Sequence, residues 1–187
     1  MGAKTVTKRT YPWKDRIGDV DYTFRLMTHE DKELVSEFTS TMTEDEQLFL
    51  RMDITRPEVR DIWLENVRKG RTITLFALNA KGKIAGYSTL HRSDLMSTRH
   101  HGEMRVFVQH SVRGNGLGQV LIGEMFQVAR NLKLERIPMT IAREQQGLRQ
   151  LLEGMGFRVE ALLTDWLKSR DGRLHDLVIM SHTVGED

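Results

Sequence analysis

Residues 106–119 read Val106-Phe107-Val108-Gln109-His110-Ser111-Val112-Arg113-Gly114-Asn115-Gly116-Leu117-Gly118-Gln119. An apolar strand runs into three alternate glycines, after which Leu121, Ile122, Met125, Phe126, Ala129 and Leu132 recur at helical spacing up to Lys133. Glycines leave backbone N–H groups unobstructed and a helix start is positively polarised, so this segment makes a cradle for phosphate anions. Two familiar phosphate loops match it poorly. A P-loop needs Gly-Lys-Ser/Thr, and a dinucleotide fingerprint needs glycine or alanine where Gln119 stands. A plain tight connection from strand to helix is the competing reading, and the surrounding sequence has to decide.

Working outward, residues 103–109 alternate, with Met104, Val106 and Val108 on one face and Glu103, Arg105 and Phe107 on the other. Residues 72–78 and 83–91 are β-rich and meet across Asn79-Ala80-Lys81-Gly82, which suits a hairpin. Before them, 22–27 reads as a strand, and Thr28 is placed to cap a helix continued by Leu34, Val35 and Phe38. Residues 42–52 read as a second short helical stretch, and Pro57 opens a third that carries Ile62 and Trp63 and stops at Gly70. Downstream, 137–142 is a strand, 144–155 a helix, and 159–168 and 174–183 are strands around Asp171-Gly172. Residues 1–20 show no sustained period and are expected to be an N-terminal arm beside a single domain over 21–187.

Composition narrows the function. With 187 residues, 39% of them hydrophobic, one packed α/β domain is expected. The 28 Lys and Arg against 26 Asp and Glu leave a net charge of +2, too small for a surface that tracks nucleic-acid phosphates. Without cysteine there is no disulfide, thiolate nucleophile or cysteine metal site. His100-His101 lacks partners at ligand spacing, so no metal is expected. No apolar run approaches the roughly 20 residues of a membrane span, and residues 1–20 lack a signal-peptide core. A soluble cytoplasmic protein without membrane or nucleic-acid partners is expected; association into a homodimer stays open.

Arg113, Gly116 and Gly118, spaced Arg-x-x-Gly-x-Gly after Val-Phe-Val and before an amphipathic helix, resemble the acetyl-CoA signature of the GNAT superfamily of N-acetyltransferases. Ile84-Ala85-Gly86, the 137–142 strand and Glu153-Gly154-Met155-Gly156-Phe157 fall in that family's order, so the resemblance runs from about Tyr22 to His182. It implies a GNAT fold: an α/β domain with a mixed, mostly antiparallel central sheet, a splayed strand pair and helices on both faces. Glu103 and the Leu-Phe-Leu-Arg of residues 48–51 resemble, more narrowly, the GNAT domain of bacterial Pat-type protein lysine acetyltransferases. The resemblance further implies that backbone groups of Val106, Phe107 and Val108 meet the pantetheine arm of acetyl-CoA. Arg113 and the amides of Gly114, Asn115, Gly116, Leu117, Gly118 and Gln119 would then hold its pyrophosphate. Gln145 stands where many relatives have a cofactor-binding Asn, and Leu152 where many have a tyrosine acid.

Acetyl transfer needs an uncharged amine, and an amine with a pKa near 10.4 is mostly protonated at neutral pH. Glu103 is the candidate base, directly or through a water; its competing reading is a structural carboxylate paired with Arg105 or Arg113. A backbone N–H, that of Val106 or Phe107, would stabilise the oxyanion, and a thiolate with a free pKa near 8.5 leaves without much help. The expected function is acetylation of a primary amine, on a protein lysine or a small molecule. A non-catalytic acyl-CoA-binding module is the alternative, disfavoured by the carboxylate at 103.

Overall fold

The computed structural model describes residues 9–185. Strands β1 (Trp13–Ile17) and β2 (Val20–Leu26) precede helices α1 (Lys32–Ser40), α2 (Glu44–Gln47) and α3 (Pro57–Arg68). Then come β3 (Thr72–Leu78), β4 (Ile84–Arg92), β5 (Gly102–Val108), α4 (Leu117–Asn131), β6 (Arg136–Ala142), α5 (Gln146–Gly154), β7 (Arg158–Lys168) and β8 (Leu174–Thr183). The strands make two antiparallel sheets, ordered β1-β2-β3-β4-β5 and β6-β8-β7. Among the described residues the two sheets are joined by one isolated parallel bridge, His101 to Arg136, beside which the Glu135 N–H donates to the His100 carbonyl at 2.9 Å. β5 and β6 therefore touch at one end and part at the other, the splayed pair that the resemblance implied.

Each face of the larger sheet buries its own core, as the period of two along its strands requires. Leu75, Ala77, Leu90 and Met104 pack with Leu117, Leu121, Ile122 and Met125 of α4. Phe76, Leu78, Tyr87 and Phe107 turn to the other side, against Val35 and Phe38 of α1 and Trp63 and Leu64 of α3. The faces expected for residues 103–109 are thus the faces found.

Three expectations need correction. Residues 13–17 are not part of a separate arm: they form β1, paired along its length with β2, so the expected boundary at residue 20 falls at a strand edge inside a sheet. Trp13 stacks on Phe24 with centroids 4.1 Å apart, Arg9 lies over the Trp13 ring, and both Arg9 (2.9 Å) and the Tyr11 hydroxyl (3.3 Å) reach the buried Glu124 of α4. Burial pushes the Glu124 carboxyl above its ordinary pKa. Residues 1–8 of the expected arm lie outside the described residues. Secondly, Asp31 and not Thr28 stands at the start of α1, because Arg25 grips the Asp31 carboxylate (2.6 and 2.8 Å) and the Thr28 N–H donates to it at 2.7 Å. Finally, the helical stretch expected over 42–52 shrinks to α2. Thr43 and Glu46 cap it reciprocally, and the residues that follow leave the helix to lie over the space between the sheets.

Gly86 shows how tightly β4 meets β5. A Cβ there would lie 2.8 Å from the Phe107 carbonyl oxygen and 3.2 Å from Leu121 Cδ1. Gly86→Ala is expected to cost about 1–3 kcal/mol of stability, measured by urea unfolding, since a backbone atom has to move.

Candidate active site

The Gln109 N–H donates to the Ala85 carbonyl at 2.9 Å, which sets the polarity of β5. Backbone groups alternate along a strand, so those of Glu103, Arg105 and Phe107 face β4 while those of Met104, Val106 and Val108 face the side that β6 has left. The space so opened is a groove of about 990 Å³. Val106 and Val108 form one wall, and Ile141 of β6 with Leu148 and Leu151 of α5 form the other. The expectation for Phe107 changes accordingly. Its backbone belongs to the β4 ladder, its ring stacks on Tyr87 with centroids 5.5 Å apart, and Val106 supplies the N–H on the groove side.

At the open end the chain makes a short 3-10 turn over His110–Val112 and enters the glycine loop. The Glu46 carboxylate accepts the His110 N–H at 2.8 Å and the Thr43 N–H at 2.9 Å; burial opposes its charge, but these bonds hold its carboxyl below the ordinary value. Gly114 and Gly116 have φ of +81° and +96°, where a side chain is strained, and Gly116 caps α4. Val120 is the first α4 residue whose N–H takes a carbonyl of this loop, that of Gly116 at 3.2 Å, so the amides of Gly118 and Gln119 precede the helical bonding pattern. Both residues line the groove, with Gly114, Gly116 and Arg113. A Cβ on Gly118 would lie 3.4 Å from Leu151 Cδ2 and 3.7 Å from Val108 Cγ2, so the start of α4 sits in van der Waals reach of both β5 and α5.

Three residues expected among the ligands, Asn115, Leu117 and Arg113, serve the loop itself. The Asn115 Oδ1 accepts the Leu117 N–H at 3.1 Å, and the Leu117 side chain is fully buried in the core. Arg113 folds back, donating from Nε to the Val108 carbonyl at 2.9 Å. Gln145 lines the groove ahead of α5; its Oε1 accepts the Ala142 N–H at 2.9 Å, which leaves its NH₂ for a ligand. An unpaired strand edge for an amide-bearing arm, leading to unpaired N–H groups at a helix start for a pyrophosphate, fits acetyl-CoA. Among the described residues no group of three or more His, Asp or Glu is placed to hold a metal ion, and no helix is long and apolar enough to cross a membrane.

The groove continues past the strands into a chamber lined by Trp63, Thr72, Tyr87, Thr89, His91 and Arg105. His91 is wedged between two hydroxyls, Nδ1 to Thr72 Oγ1 at 2.9 Å and Nε2 to Thr89 Oγ1 at 3.1 Å. Burial, aided by the Arg105 charge, pulls its pKa from 6.5 to about 4, so the imidazole is neutral at pH 7. Burial likewise pushes the Tyr87 phenol up. Glu103 stands just outside the lining, opposite His91 in the β4–β5 register. Its Oε1 accepts from Arg51 and, at 3.3 Å, from Arg105 Nη2; Arg51 also reaches Thr140 Oγ1 of β6 at 3.3 Å. Leu152 is fully buried, so no acid stands at that position. Sequence reasoning did not find the chamber's His91, Thr72 and Thr89: Thr89 and His91 share one face of β4, but Thr72 comes from β3, and no local spacing brings it to them.

The model of the family described as "Acetyltransferase (GNAT) family" matches residues 34–157. The Bacillus subtilis (strain 168) protein YwnH, provisionally named a phosphinothricin acetyltransferase, is 23% identical over 165 residues, covering 87% of this chain and 99% of YwnH. Among solved structures, a GNAT-family acetyltransferase from Streptococcus pneumoniae shares the fold with a TM-score of 0.75 at 23% identity, covering 87% of this chain and 99% of its own. A GNAT superfamily phosphinothricin acetyltransferase from Sinorhizobium meliloti, solved in complex with AcCoA, does so with a TM-score of 0.72 at 17% identity, over 88% of this chain and 89% of its own.

Gly116→Asp is expected to abolish CoA binding in isothermal titration, because the left-handed backbone is strained and a carboxylate repels phosphate. An unaltered affinity in that variant removes the loop from the site. The pH dependence of stability follows from His91. The folded protein binds this proton only near pH 4 and the unfolded chain near pH 6.5, so the unfolded state binds more protons in between. Stability is therefore expected to fall as pH drops from about 6.5 to about 4, and His91→Gln to flatten that part of the Tm profile.

Proposed function

The chain belongs to the GNAT acetyltransferase family, and on that premise we propose that this acyl-CoA-dependent N-acetyltransferase passes the acetyl group of acetyl-CoA to the primary amine of a small molecule. The observation that carries this reading is the covering of the chamber. Glu46, Phe49, Leu50, Arg51, Met52 and Ile54 all line the groove from one side, on the segment that follows and includes the end of α2. That segment is tied down at several points: Arg51 to Glu103 and Thr140, Phe49 edge-on to His175 at 5.3 Å, and Asp53 to Arg170 at 2.7 Å. A free amine can enter such a covered space; a lysine standing on a folded surface needs an open approach. The names carried by YwnH and the Sinorhizobium meliloti relative point the same way. Against this stands the protein-lysine acceptor implied by the Leu-Phe-Leu-Arg resemblance, and Arg51 of that motif is one of the residues that close the chamber.

Bound acetyl-CoA supplies an activated thioester carbonyl. In the proposed mechanism the groove-side N–H and C=O of Val106 and Val108 align its arm, and the Val106 N–H faces the carbonyl oxygen where charge develops. Preorganised backbone donors of this kind need no reorientation during the reaction. Glu103 takes the proton of the incoming ammonium, directly or through a water. Arg51 and Arg105 hold its Oε1, so the carboxylate is fixed in orientation, and among the described residues no protein donor reaches Oε2. Neutral His91 spends both ring nitrogens on the Thr72 and Thr89 hydroxyls, which offer the acceptor uncharged hydrogen-bonding partners, and Trp63 offers an apolar wall.

The test is mass spectrometry of reactions with acetyl-CoA and a panel of small amines, amino acids and lysine-bearing proteins. Acetylated small amines with unmodified proteins are expected; the reverse result establishes the lysine reading, and CoA binding without any product establishes the binding module. With the best acceptor, Glu103→Gln is expected to lower kcat about a hundred- to ten-thousand-fold with little change in CoA affinity. Near-normal kcat makes Glu103 a structural partner of its two arginines.

A further inference from the structure

Asn115 lies between two residues of positive φ, where the loop is held by few backbone bonds. Its side chain supplies what the backbone lacks. Only Oδ1 can accept the Leu117 N–H, 3.1 Å away, so Nδ2 necessarily faces the other way, and there it donates to the Tyr22 hydroxyl at 3.3 Å. Tyr22 belongs to β2 and is 1% exposed, packed in the same core as α4. The turn between β1 and β2 reaches the same loop: a Cβ on Gly18 would lie 3.5 Å from Asn115 Cβ, and one on Gly116 would lie 3.7 Å from Ile17 Cγ2. All these contacts come from residues 17–22, ahead of the stretch 34–157 that matches the family model.

From this geometry we infer that Tyr22 is a positioning residue for the phosphate-bearing part of acetyl-CoA, acting through Asn115, and that the β1–β2 hairpin is part of the cosubstrate site. By fixing Asn115, Tyr22 fixes the turn whose neighbours Gly114, Gly116, Gly118 and Gln119 line the phosphate end of the groove. Removing the hydroxyl leaves the core ring in place and frees the Asn115 amide, so the loop samples other arrangements and binding has to select the competent one. The pantetheine end, held by β5, is untouched. The inference rests on the reading that acetyl-CoA binds at this loop.

The experiment compares Tyr22→Phe with the wild-type protein in three measurements. By isothermal titration, CoA affinity is expected to fall about three- to tenfold, the size of one net hydrogen bond. With donors, kcat/KM for acetyl-CoA is expected to fall by the same factor, whereas kcat/KM for S-acetylpantetheine, which carries no phosphate, stays unchanged. In an Asn115→Ala background, Tyr22→Phe is expected to add no further loss, because the two act in series. Equal losses on both donors mark Tyr22 as a general core residue and overturn the inference. So does an unchanged CoA affinity in Tyr22→Phe when the wild type binds CoA. A wild-type protein that does not bind CoA overturns the parent reading and this one with it.

Discussion

A strand that loses its neighbour has to satisfy its backbone by other means, because a polar group left unpaired away from water costs on the order of 1–3 kcal/mol. Among the described residues, β5 beyond the His101–Arg136 bridge pairs with β4 on one edge and has no pairing with β6 on the other. The groups at Val106 and Val108 are therefore committed to solvent or to a ligand that imitates a strand. Arg113 answers for one of them, donating to the Val108 carbonyl. The same parting of strands makes the groove, aims its donors and lets one ligand touch both sheets.

The two cores hold this opening in place. α4 packs under one face and α1 with α3 over the other, so β5 is gripped from both sides while its free edge stays bare. Gly86, under the Phe107 carbonyl and against Leu121, lets β4 and α4 approach closely enough to bear on β5. The start of α4 then meets the groove as a positively polarised helix end, and glycines at positions 114, 116 and 118 let a ligand come near the backbone. An anion site and a strand edge are thereby placed end to end.

The acceptor side is built differently, from side chains of distant segments. Arg51 joins β5 to β6 through Glu103 and Thr140, closing over the point where the sheets begin to part. His91, held between Thr72 and Thr89, is kept neutral by burial and by Arg105, so at this position the chamber presents hydroxyls and an uncharged ring to an amine.

Most of the fold could be read along the chain, since the period of two in residues 103–109, the helical repeat after Gly118 and the Asn79–Gly82 turn are local signals. The glycine loop was readable for the same reason, because three alternate glycines before an apolar helix are a statement about backbone and need no partner. β1 escaped notice because an edge strand with three of its five residues exposed shows no alternation, and α2 was overestimated because Phe49, Leu50 and Met52 are apolar for the groove's sake and not for a helix. Which backbone groups of β5 are free was undecidable without the pairing to β4: that pairing assigns Phe107 to the sheet and Val106 to the groove. Likewise, Glu103 acquires Arg51, His91 the Thr72 hydroxyl and Asn115 its tyrosine only through contacts between residues 19 to 93 positions apart. Local pattern dictates helices, strands and turns because their hydrogen bonds and side-chain periods are local. The neighbours that tune a carboxylate or an imidazole are chosen by packing, which the chain settles as a whole.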